Sequence, residues 1–293
     1  MSSDLIQLLL GGILLGGIYG LAAFGLSITF GVLNILNLAH GEFLMLGALL
    51  SYFLFGVFGL NPFLLGVLLI PVFILGGALF YLLLLKPISG KPPQTMLVSS
   101  ILITLGFSLV VEDLTAFFWE RPVTGISYSL PSFDLAGIVL PVTRLLILAF
   151  IILTALSLQF YLRKSYYGKS IRAIIQCRAG AKVLGIRILP LSSFTFGLGA
   201  ALAACAGVFH VTLFTISPTM GIPLSVKYMS IVVLGGLGSL TGSLLGGLIL
   251  GMAESLTAYG LGAEWSPAIA FLLLILILIL KPEGLFGRKG WLS

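Results

Sequence analysis

An all-α fold, a polytopic membrane helical bundle of about eight to nine transmembrane spans with broken or re-entrant segments, is what three features of this 293-residue sequence predict. Hydrophobic residues make up 59% of the chain and charged residues only 8%, against about 25% charged in an ordinary soluble domain. The mean hydropathy is +1.21. The apolar residues fall in runs of roughly 20, the length that crosses a bilayer as a helix. A soluble core of this size cannot hide so much apolar surface. A cytoplasmic enzyme, a nucleic-acid-binding module and a disordered chain are therefore excluded. No stretch has room for a separate soluble domain of about 100 residues, so residues 1–293 read as one integral membrane domain.

Between residues 1 and 85 the only charges are Asp4 and Glu42. Met1 to Gln7 lacks the basic start of a cleavable signal peptide, so the first run is expected as a retained span. Breaks at Asn34–Gly41 and Gly59–Pro62 leave runs near 5–30, 42–58 and 62–85. After the polar Lys86–Pro93 comes a run at 95–118. Pro122, Pro131 and Pro141 then prevent a long helix. Further runs cover 142–162, 188–212 and 265–280.

Three sites, Lys86/Lys91, residues 163–187 and the tail with Lys281, Arg288 and Lys289, hold twelve of the fifteen basic residues. The positive-inside rule places all three in the cytoplasm, including the C-terminus. It leaves 119–137 and 213–222 outside. Parity then requires the 37 residues 223–259 to cross twice as short helices or to dip in and return. The expectation is nine passes with the N-terminus outside, or eight if one break is re-entrant.

Backbone that leaves the helix at membrane depth survives only when buried in protein or lining a wet cavity. Two breaks qualify from sequence: Asn34, Asn37, His40 and Glu42 in the first, and Gly235, Gly236, Gly238 and Ser239 opening the second, which runs on to Gly247. Paired interrupted segments point to a transport pathway, and these eight residues are the candidate substrate pathway. The bland alternative puts Asn34–Glu42 at the interface, with Glu42 capping the next helix and His40 wet. Glu254 reads as structurally paired and His210 as a satisfied helix-packing histidine.

The spacings Gly12-x-x-x-Gly16, Gly16-x-x-x-Gly20, Gly238-x-x-x-Gly242, Gly242-x-x-x-Gly246 and Gly247-x-x-x-Gly251 favour close helix approach, either within the chain or against another subunit. Cys177 and Cys205 set no disulfide framework, and no His/Cys cluster has metal spacing. Gly168-Lys169-Ser170 imitates the end of a P-loop, but Arg163 stands where another Gly is required, and no strand precedes it. No catalytic constellation is visible. The chain is expected to be a non-enzyme with no cofactor and no metal of its own.

Residues 169–176 are amphipathic at helical spacing, and 181–186 continue them to a stop at Gly185. Such a helix either lies on anionic membrane lipid or docks on a cytoplasmic partner. On the docking reading, Arg172 supplies a directed charge and Ile171, Ile174 and Leu184 supply apolar contact.

Four motifs in order match a known family nearly end to end: Asn37–Ala48, Gly168–Ala173 with Ala181–Ile186, Val233–Ser239 with Gly242 and Gly246-Gly247, and Lys281–Arg288. The chain resembles the membrane permeases of branched-chain amino acid ABC importers, and the His-Gly-Glu form at 40–42 resembles the H-type subunit. The resemblance implies a related permease as heterodimer partner, two cytoplasmic ATP-binding subunits, an extracytoplasmic substrate-binding protein and a bacterial or archaeal inner membrane. It implies ATPase coupling through Gly168, Lys169, Ile171, Arg172, Ala173, Leu184 and Gly185. Family members often carry an acid between the two halves of that motif, where this chain has Arg178. Branched-chain or related amino acids are the implied cargo, with urea or short amides as the alternative. An ion-coupled secondary transporter is the rival class, and its only candidate relay groups are His40, Glu42 and Glu254.

Overall fold

The computed structural model describes residues 2–119, 125–135 and 138–287. Among the described residues eight helices are long and apolar enough to cross a membrane. Helix α1 spans Ser2–Leu33, α2 His40–Phe58, α3 Pro62–Phe80 and α4 Pro93–Phe118. Helix α5 spans Val142–Lys164, α6 Tyr166–Gln176, α7 Arg178–Val183 and α8 Ile188–Leu213. Helices α9 (Gly221–Gly235), α10 (Leu240–Gly260) and α11 (Ser266–Leu280) follow. The stretch expected to cross twice as short helices or to dip in and return forms α9, 15 residues and shorter than a span, and α10, 21 residues and long enough to cross.

Local chemistry sets the helix ends. Gly59 closes α2 in the left-handed region at φ 63°, its N–H bonded to the Phe55 carbonyl. Asn61 then caps α3 by accepting from Phe63 N, and Pro62 occupies the first helical position. Helix α3 passes into a π turn at Tyr81–Leu85 and a 3₁₀ turn at Lys86–Ile88.

Helix α8 is the central post, buried along nearly its whole length by α1, α2 and α3. Stripes of large apolar side chains, such as Leu75, Leu102, Leu153 and Ile279, point outward on α3, α4, α5 and α11, as lipid-facing surface should. The predicted small-residue seam is real. A methyl on Gly16 would come within 2.7 Å of the Leu248 backbone, and one on Gly12 within 3.0 Å of Met252. Helices α1 and α10 thus pack backbone to backbone, antiparallel.

Contacts sort the helix ends onto two faces. On the basic face the end of α1 at Gly31 meets Ile175 of α6 and Gly238, and Leu285 and Phe286 N–H bond the Leu234 and Gly235 carbonyls. On the opposite face Asn61 donates to the Tyr128 hydroxyl, Ile126 N–H to Val211 and the Ser255 hydroxyl to Leu8.

Among the described residues no helix falls between Phe118 and Val142, and β1 (Ser132–Leu135) pairs antiparallel with β2 (Ile138–Pro141) there; Pro122 lies outside the described residues. One expectation changes. The basic segment is not one continuous helix. Cys177 leaves the helix at φ −158°, ψ 103°, and its sulfur accepts from Gly180 N to start α7. Arg288 and Lys289 lie outside the described residues.

Candidate functional site

Two half-helices meet inside the bundle. After α1 ends at Asn34, held at φ 52° with its N–H on the Phe30 carbonyl, residues 35–39 run unwound toward the core. Their freed backbone groups are satisfied by α4: Leu38 N–H donates to Thr104 Oγ1 (3.1 Å), and Ser108 Oγ donates to the Leu38 carbonyl (3.3 Å). Asn37, buried, accepts from Ala39 N and tightens the turn into α2.

The entry to α2 is wholly buried. His40 Nε2 donates to the Ala22 carbonyl at 2.8 Å. Gly41 N–H donates to Ser225 Oγ at 2.7 Å. Glu42 is 0% exposed, and neither carboxylate oxygen has a hydrogen-bond partner among the described residues. The interfacial reading therefore fails on both counts, since His40 is dry and Glu42 caps nothing.

The counterpart of this break is not the glycine run at 235–239. It is 214–220, which the sequence assigned to an external loop. Ile216 is buried in a cluster that includes Met45, Ala48 and Leu49 of α2, so the chain turns in beside α2 before α9 begins at Gly221. There a side chain on Gly221 would overlap the Glu42 carboxylate, and one on Gly41 would overlap the Gly221 carbonyl oxygen. The N-termini of α2 and α9 thus face each other at van der Waals contact. The polar Thr215–Gly221 stretch, with its Pro218, was the available signal.

Gly235, Gly236, Gly238 and Ser239 form a turn at the basic face. Gly236 (φ 103°) and Gly238 (φ 74°) take left-handed conformations, and Ser239 caps α10 by accepting from Gly242 N. The tail at 284–287 packs on this turn. Asn34 is exposed at the same end of α1 and is not gathered with Asn37, His40 and Glu42.

Of the segment expected to couple, α6 faces inward. Ile171 and Ile174 are buried, and Gly168 admits the close pass of α6 under Leu162. Arg172 is already engaged: its guanidinium donates to the Leu162 carbonyl at 2.5 Å and the Arg163 carbonyl at 3.2 Å, closing the end of α5. Ala173 is half-buried and Lys169 exposed. The free apolar surface sits on the next turn, where Val183 is 87% and Leu184 78% exposed beside Lys182 and Gly185 (φ 76°).

A polar constellation that sequence reasoning passed over lies nearer the opposite face. Lys227, a lone cation in an apolar run, pairs with Glu254 at 2.9 Å and donates to the Tyr19 hydroxyl at 3.1 Å, while Tyr19 donates to Glu254 at 2.8 Å. Glu254 is paired as expected. His210 is not satisfied, because its buried Nδ1 has no partner.

A bundle with half-helices meeting at its centre has the architecture of a permease, and comparison with known proteins agrees. Residues 8–278 match the family described as branched-chain amino acid transport system / permease component. The chain belongs to that family. The permease BraD of Pseudomonas aeruginosa, named for high-affinity branched-chain amino acid transport, is 30% identical over 97% of this chain and 96% of its own. LivH of Escherichia coli is 29% identical over 97% and 96%, and a probable LivH of Methanocaldococcus jannaschii 27% over 96% and 92%. No solved structure matches. As a member of the branched-chain permease family the chain is the integral membrane subunit of an ABC importer, works with other components, and is not an enzyme.

Proposed function

We propose that this chain forms one half of the pathway through which branched-chain or related amino acids enter the cell across a bacterial or archaeal inner membrane. A related permease supplies the other half, two cytoplasmic ATP-binding subunits drive it, and an extracytoplasmic binding protein delivers the cargo. The chain itself uses no cofactor. The basic face, with α6, α7 and the C-terminal tail, lies in the cytoplasm, since Lys and Arg concentrate on the inner side of short loops.

The observation that carries the reading is the abutment of α2 and α9. Both N-termini present backbone donors and positive dipole ends, and Gly41 N–H finds its partner only across the junction, in the Ser225 hydroxyl, so bringing them together inside the bundle is costly unless the junction serves passage. Gly41, Ser225, Gly221 and Glu42 hold it with a single hydrogen bond and close packing. Rigid-body motion of one half-helix against the other opens it to one side and then the other. Asn37, His40 and Glu42 belong to this junction. Asn34 and the 235–239 turn form the inner rim, where the tail is seated on Gly235 and Gly236. The ATPases engage the exposed end of α7 at Val183 and Leu184, with Lys169 alongside, while Gly168, Ile171, Arg172, Ala173 and Gly185 set the shape of that arm.

Reconstitution with the neighbouring-gene permease, ATPases and binding protein tests the assignment. ATP-dependent uptake of leucine, with leucine as the binding protein's ligand, is expected; urea as the sole ligand would overturn the amino-acid reading. A cysteine in place of Lys182 should be labelled only from the cytoplasmic side, and labelling from outside in intact cells would overturn the orientation.

A further inference from the structure

Between α1, α8, α9, α10 and the turn into α11 lies a cavity of about 500 Å3, on the half of the bundle away from the basic face. Its walls are mostly apolar, with a few converging polar groups, which is the make-up of a small-molecule site. Lys227, Glu254 and Tyr19 form one wall, and Lys227 remains 21% exposed. His210 presents a buried, unpartnered ring nitrogen on another. Arg144, exposed in the first turn of α5, stands at the edge.

The placement of these charges needs a reason. Arg121, Arg144 and Lys227 are the basic residues outside the three basic clusters, and the latter two both line this cavity. A cation in the first turn of a helix opposes the dipole. A lysine within an apolar membrane helix is expensive and marks a functional site.

We infer that this cavity binds a zwitterionic α-amino acid with an aliphatic side chain. Arg144 and Lys227 take the carboxylate, Glu254 takes the ammonium group, and Leu213, Met220 and Leu224 receive the side chain. The assignment rests on the amino-acid reading above and gives it a site. The cavity also connects to the half-helix junction. Met220 and Leu224 face the cavity, while Gly221 and Ser225 touch Glu42 and Gly41 across the same first turns of α9. The rings of Tyr19 and Tyr228 lie 6.1 Å apart, and those of Tyr228 and His40 6.2 Å, so an aromatic row runs from the ligand site to the start of α2.

The test is ligand protection in the complete importer. Ser266, on the cavity wall, is replaced by cysteine in a Cys177→Ser background, and labelling by an impermeant maleimide from outside is timed. L-leucine at about ten times its dissociation constant should slow labelling about tenfold by occupancy. Leucinamide, which lacks the carboxylate, and 4-methylpentanoate, which lacks the ammonium group, should not. Protection should vanish in Arg144→Gln and in the double variant Lys227→Met/Glu254→Gln, which leaves no unpaired buried charge. Equal protection by the two analogues would overturn the zwitterion assignment. Labelling unchanged by leucine, in a complex that still takes up leucine, would overturn the site and leave the amino-acid function standing. A complete complex with no leucine uptake would overturn the amino-acid reading and this site with it.

Discussion

The stretches 34–41 and 235–239 look alike in sequence, both short, rich in glycine or asparagine and set between apolar runs, yet they do different work. The first climbs into the bundle, hands its backbone groups to Thr104 and Ser108, and delivers a buried carboxylate to the start of another helix. The second stays at the end of the bundle as a tight turn, its neighbouring carbonyls taken by the tail. The difference lies in where the polar groups find partners. A break at depth needs donors and acceptors from other helices, whereas a turn at the rim needs only its own cap and a neighbouring strand of chain. The basic segment repeats the lesson: α6 spends its isoleucines on the bundle, while α7 leaves Val183 and Leu184 free.

The sharpest way to break this comparison is Gly41→Ala. The added methyl overlaps the Gly221 carbonyl oxygen, and overpacking of this kind costs up to about 3 kcal/mol. The assembled complex should become scarce and uptake should disappear, as read by abundance in membranes and leucine uptake. Normal levels of both would mean that α2 and α9 do not abut.

Arg172→Leu comes next. It removes two hydrogen bonds to the end of α5, at a cost of about 1.5 kcal/mol for a partly exposed charged donor. Hydrogen exchange should rise at 162–166 before any loss of coupling appears. Loss of ATPase coupling with unchanged exchange would return Arg172 to the docking surface.

Ser239→Ala should cost about 1 kcal/mol through the lost cap on Gly242, with uptake per assembled complex unchanged. Reduced uptake at full abundance would make the turn part of the moving pathway.

For Glu42→Gln the thermal stability of the complex should shift by less than about 0.5 kcal/mol, because the carboxylate has no hydrogen-bond partner among the described residues to lose, while uptake falls. A loss of about 3–5 kcal/mol, the scale of a broken buried ion pair, would show instead that a partner subunit supplies its counter-charge.

Leu184→Asp, on a side chain 78% exposed, should leave stability within about 0.5 kcal/mol and abolish substrate-stimulated ATP hydrolysis. Retained stimulation would remove α7 from the coupling surface.

Much of this molecule was legible in the order of its residues. The bilayer demands runs of roughly 20 apolar residues, so seven of the eight long spans could be placed to within about four residues of their ends, while α10 lay hidden in the stretch 223–259. The glycine spacing of α1 and α10 marked faces for close packing, because only small residues let backbones approach closely, though not that the two helices meet each other. The polar break before α2 could be found because asparagine, histidine and glutamate are expensive in lipid. What tertiary structure alone decided was depth and partnership. Residues 213–222 read as an outside loop because their polarity looks the same whether water or protein satisfies it, and only the burial of Ile216 in a cluster with α2 residues shows that part of the stretch turns inward. Lys227 went unnoticed because a single lysine carries no pattern of its own. Its meaning arises from Glu254 and Tyr19, brought to it from α10 and α1 by folding. The partners of Arg172 were hidden for the same reason, since the carbonyls it closes become its neighbours only when α6 turns back under α5. A sequence records which groups cannot stay in lipid, and the fold chooses which groups answer them.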